Sequence, residues 1–118
     1  MVFGRWRMKR KRKDKHQRLV DIIYQELQNK KYVAHVFKNF DYPYGEFDVL
    51  YITEKERVRY IEVKSNDTQK SRKTARRQFK TYQKKFYLGS RVKFRRGIYY
   101  TPQTSFRRDL DVYKPNRS

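Results

Sequence analysis

The 118-residue sequence contains no cysteine, which excludes a disulfide framework, a thiolate zinc site and a cysteine-ligated iron–sulfur cluster. Acidic residues are also scarce: 12 Asp and Glu stand against 32 Lys and Arg, a formal charge of +20. A field of that size attracts polyanions, nucleic acid first and an anionic membrane surface second. Long apolar runs are missing too. None approaches the roughly 18 residues that span a bilayer, and no apolar signal segment follows the basic N-terminus. The expectation is a soluble, cytoplasmic protein with no membrane partner. Only 36% of residues are hydrophobic, but 17% are aromatic, including 11 Tyr and 8 Phe. Such rings bury large areas each, so one domain with one modest core remains feasible at this length.

The first 13 residues, MVFGRWRMKRKRK, form a basic arm. The arm is either a solvated tail or, through Arg5 and Arg7, a clasp on phosphates. From Asp14 to Asn29 the pattern turns helical, with Leu19, Val20, Ile23 and Leu27 recurring at three- and four-residue spacing. On that helix His16 falls between Ile23 and Leu27, and Glu26 lies at the other margin of the apolar face. KYVAHVFKNF alternates as a first strand, followed by a turn at 42–45. Strands at 46–53 and 58–65 are joined by the polar EKER. A second helix is predicted over 69–87, with Ala75, Phe79, Tyr82 and Phe86 as its buried stripe and Gly89 as its stop. GIYYTP reads as a last short strand, and 103–118 as a loose polar tail. The pattern gives an α/β fold, a small mixed sheet flanked by helices, in a domain spanning 14–102.

The strand-forming segment GEFDVLYITEKERVRYIEVKS carries Asp48, Glu62 and Lys64 where a core strand favours hydrophobes. Strand alternation places Glu62 and Lys64 on one face with Ile61 and Val63 on the other, and points Asp48 away from Phe47 and Val49. Pairing through EKER would bring the three side chains together. Two close carboxylates repel and raise one pKa unless a cation lies between them, and Mg²⁺ uses one or two carboxylates while keeping several waters. A lysine beside a metal-bound water could orient or deprotonate it and stabilise charge developing on phosphate. The combination suits phosphodiester hydrolysis. The plainer alternative is a cross-strand ion-pair cluster on a solvated sheet face, which the apolar flanks of both strands argue against.

The motif GEFDVLY…YIEVKS resembles the PD-(D/E)xK nuclease superfamily, in its Asp-x13-Glu-x-Lys spacing and in the glycine and acid before the Asp. Gln78 and Tyr82, within QFKTY, resemble the Gln-x3-Tyr motif of the RecB-like branch. The likeness covers roughly residues 14–100. It implies a restriction-endonuclease-like core and a Mg- or Mn-dependent deoxyribonuclease with little sequence specificity. It also implies metal ligands at Asp48, Glu62, His16 and the Val63 carbonyl, with Lys64, Gln78 and Tyr82 completing the catalytic set. The imidazole would bias the site toward Mn²⁺ as well as Mg²⁺. As a lone histidine on an apolar face, His16 could instead be a packed residue. Related Holliday junction resolvases, which act as two-fold dimers, carry a glutamate on this helix, for which Glu26 is the candidate. His35, with no motif around it, reads as structural. CRISPR-associated relatives use cysteines to hold a cluster, and this chain has none. A short chain of this kind would suit a virus or plasmid.

Between Lys64 and Arg96 lie 13 Lys or Arg and a single acid, Asp67. The second helix is the densest part. Arg72, Lys73, Arg76, Arg77, Lys80, Lys84 and Lys85 are the expected DNA contacts, gripping backbone phosphates in a salt-dependent, sequence-tolerant way. Gln78 would meet a phosphate or base, and Tyr82 would brace Lys64 or simply pack. Trp6, Phe94 and Tyr99 are candidates for stacking on exposed bases. A non-catalytic, architectural nucleic-acid-binding protein would explain the charge equally well but leave the carboxylates unexplained.

Overall fold

The computed structural model describes residues 14–42, 45–85, 97–103 and 110–114. The predicted arm, the 43–44 turn, Phe86, Gly89 and Phe94 lie outside the described residues, as do Arg5, Trp6 and Arg7. Helix α1 spans Lys15–Gln28, capped by Asp14, whose carboxylate accepts from the Gln17 N–H at 2.7 Å. Such a cap satisfies a donor that the first helical turn leaves unpaired. Strands β1 (Val33–Tyr42), β2 (Gly45–Thr53) and β3 (Val58–Val63) follow, then helix α2 (Gln69–Lys85), β4 (Gly97–Tyr100) and β5 (Asp111–Val112).

These strands form one five-stranded sheet in the order β1-β2-β3-β4-β5. The first three are antiparallel, whereas β3–β4 and β4–β5 are parallel. A parallel neighbour requires a crossover, and α2 supplies it between β3 and β4. Helices cover both faces. On one, Ala75, Phe79 and Tyr82 of α2 pack against Phe47, Leu50, Val58, Tyr60 and Tyr99; on the other, Val20, Ile23 and Leu27 of α1 pack against Val49, Tyr51, Ile61 and Val63. Aromatic rings fill much of the α2 side: Tyr82 lies 4.5 Å from Phe47 and 5.3 Å from Tyr60, centroid to centroid. The architecture is the α/β sandwich expected.

Two expectations need correction. The tail beyond 103 is not uniformly loose, because β5 lies within it and both Leu110 and Tyr113 are buried. Nor does β2 alternate as a regular strand: Phe47 enters the α2-side core while Val49 and Tyr51 enter the α1-side core. The strand exchanges faces at Asp48.

Candidate active site

The β2–β3 ladder begins only at Val49↔Ile61, so the strands are unpaired with each other at Asp48 and Glu62. Asp48 bridges the gap: its Oδ2 accepts from the Val63 N–H at 2.9 Å. The same oxygen lies 3.3 Å from His16 Nε2 at the start of α1. Glu62 and Lys64 share a side of β3, as alternation required, and Lys64 Nζ is 2.9 Å from Glu62 Oε2. Gln78 of α2 reaches Lys64 from above, Oε1 accepting from Nζ at 3.4 Å. Of these side chains, Asp48, Glu62 and Gln78 line an open cleft of about 450 Å³, together with Gly45, Glu46, Arg77, Thr81 and Tyr82.

Electrostatics follow from this geometry. Glu62 is nearly sealed, its side chain 4% exposed. Burial and then the Asp48 charge push its pKa up to about 7, against the opposing pull of Lys64 and His16. His16 is also raised, first by its hydrogen bond to Asp48 and in part by a hydrogen bond to the Val63 main chain. Glu62 Oε1 is buried and lacks a hydrogen-bond partner among the described residues. An unpaired buried carboxylate oxygen is costly, and the described residues do not supply Oε1 with a partner. Among the described residues, no three His, Asp or Glu side chains are already gathered as closely as a metal shell requires. Lys64 holds Glu62 Oε2, and Asp48 Oδ2 is engaged by His16 and Val63. By chemical type alone, two carboxylates and an imidazole are donors that a hard or borderline divalent cation accepts.

The remaining predicted residues separate clearly. Tyr82 does not brace Lys64; its hydroxyl donates to the Glu46 carbonyl at 3.5 Å and its ring packs in the core. The contact explains Gly45, whose φ of +149° favours glycine and whose absent Cβ would overlap the Tyr82 hydroxyl. Glu26 is turned away from the site and accepts from the Tyr113 hydroxyl. His35 is exposed on β1. Tyr99 is wholly buried, with its hydroxyl donating to Asp67 at 3.1 Å, so it cannot stack on a base. Arg72 is ion-paired to the same Asp67 carboxylate at 2.8 Å, so it anchors the β3–α2 loop instead of facing solvent. Arg76 is half-buried against the far flank of α2. The exposed basic row consists of Lys70, Lys73, Arg77, Lys80 and Lys84, at alternating spacings of three and four, with Lys85 exposed beside it. Lys70 was missed by the sequence reading, although its spacing to Lys73 and Arg77 would have revealed it.

No protein-family model and no curated protein matches the chain. Among solved structures it is similar to a repair endonuclease from Pyrococcus abyssi, with a TM-score of 0.51 and 12% identity. The match covers 88% of this chain and 41% of that one, so the chain spans about two-fifths of the neighbour's length. At that identity the likeness concerns the fold: a restriction-endonuclease-like α/β core.

Proposed function

We propose that the protein is a metal-dependent DNA nuclease of the PD-(D/E)xK type, closest in design to the RecB-like branch. The observation that carries the reading is that Asp48 and Glu62 line one cleft, with His16 at Asp48, Lys64 at Glu62, and Glu62 Oε1 buried without a hydrogen-bond partner among the described residues. His16 at Asp48, with Glu26 bonded to Tyr113, favours this branch over the resolvase alternative.

Asp48, Glu62, His16 and the Val63 carbonyl would hold Mg²⁺ or Mn²⁺. The bound ion would supply Lewis acidity and an acidified water. The chain's own residues perform the rest. Arg77 at the cleft rim and the exposed row of α2 hold the phosphate backbone. Lys64, fixed between Glu62 and Gln78, presents positive charge beside the carboxylates. There it orients the attacking water and offsets negative charge as that water adds to phosphorus and the ester oxygen leaves. The substrate is single- or double-stranded DNA, with little sequence preference because phosphate contacts read no bases.

The test is digestion of end-labelled single-stranded, double-stranded and four-way-junction DNA in Mg²⁺, Mn²⁺ or EDTA. Wild type is expected to cut with metal only, and Asp48→Ala and Lys64→Ala to lose cutting while still binding DNA. Binding with no cutting in any metal would identify an architectural protein instead.

A further inference from the structure

Asn39 sits within β1 yet has a φ of +50°; among the described residues the other positive-φ non-glycine is Glu56, in the β2–β3 turn. Its place in the register is telling. Lys38 pairs with Val49 and Phe40 with Phe47, so Asn39 stands directly opposite Asp48. Both strands exchange faces at this point. Val36 packs on the α1 side and Phe40 on the α2 side, while Phe47 packs on the α2 side and Val49 on the α1 side. Regular alternation would keep 36 with 40, and 47 with 49. A left-handed residue breaks that alternation, and asparagine tolerates the conformation better than other side chains bearing a Cβ.

The side chain of Asn39 has a second connection. Its Oδ1 accepts from Gln17 Nε2 at 3.0 Å, and the same amide donates to Asp21 Oδ1 at 3.0 Å. Asp21 in turn accepts from Lys38 Nζ at 3.0 Å. Neighbouring residues of β1 thus tie down the first turns of α1, where His16 precedes Gln17. Outlying backbone geometry of this kind persists where surrounding contacts enforce it, and it clusters at functional sites.

We propose that Asn39 is a positioning residue: its left-handed backbone turns Asp48 out of the ladder toward the cleft, and its amide sets α1 so that His16 meets Asp48. The inference rests on the metal-site reading above. The experiment measures Mn²⁺ affinity by calorimetry, the ¹⁵N signal of the His16 imidazole, DNA affinity in EDTA, and cutting, for wild type, Asn39→Val, Asn39→Gly and Gln17→Ala. Asn39→Val, which resists the left-handed conformation, is expected to lose roughly 10–100-fold in Mn²⁺ affinity, the usual effect of losing a residue that orients a ligand. It should also lose the hydrogen-bonded imidazole signal while keeping its DNA affinity. Asn39→Gly keeps the backbone and loses the amide, so it should match Gln17→Ala, shifting the imidazole signal with a smaller loss of metal affinity. Wild-type behaviour of Asn39→Val in both Mn²⁺ affinity and imidazole signal would overturn the proposal. If that variant does not fold, an unshifted imidazole in both Asn39→Gly and Gln17→Ala would overturn it equally. A wild-type protein with the imidazole signal but no cutting would remove the nuclease reading and leave the positioning role standing.

Discussion

Glu62 holds its charge under the least favourable conditions in the site, because burial and Asp48 both oppose ionisation. Its folded pKa, near 7, lies above the unfolded value of 4.5, so its contribution to stability is fully present below about 4.5 and is lost as pH rises through 7. His16, also raised, has the same sign. In EDTA, Glu62→Gln should therefore gain in Tm over wild type as pH goes from 5 to 8, measured by thermal unfolding of both proteins across that range. Metal affinity should rise over the same window, since the cation competes with the Glu62 proton. Glu26 makes the opposite kind of residue prediction. With its carboxylate bonded to Tyr113, Glu26→Gln should cost on the order of 1 kcal/mol of stability and leave DNA cutting intact. Loss of cutting in a folded Glu26→Gln protein would restore the resolvase alternative.

At the scale of elements, the helices were the most legible part of the sequence. Their three- and four-residue apolar spacing reports burial directly, and Asp14 marks the start of α1. Strands β2 and β3 were readable with Glu62 and Lys64 on a common side. The exchange of faces at Asp48 was not, because it depends on the backbone of Asn39 in another strand, which no local period encodes. β5 escaped for a similar reason: a two-residue strand is too short to show a periodicity, and its parallel pairing with β4 defines it. The basic helix was legible as a charge run but not as two populations, since Asp67 claims Arg72 from the preceding loop. Packing between α2 and β4 yields a further prediction. A Cβ at Gly97 would collide with the Phe79 ring, so Gly97→Ala should destabilise by about 1–3 kcal/mol in urea unfolding, as overpacked sites do.

For the molecule as a whole, the +20 charge predicts binding that weakens steeply with salt. Replacing Lys73 or Lys80 by alanine should lower the slope of log affinity against log salt by about 0.9 each on duplex DNA. Arg72→Ala, which breaks an ion pair in the fold, should change thermal stability more than that slope. Fluorescence anisotropy between 50 and 200 mM salt separates the two. The sheet order leaves β1 at one margin, a ten-residue strand with Phe37 39% exposed. Such a margin invites another copy to zip alongside. Mutual repulsion between copies opposes such pairing in dilute buffer, but concentrated salt shrinks the range of that repulsion to a few ångströms. Preparations stripped of bound polyanions with strong brine should therefore be the ones that clump.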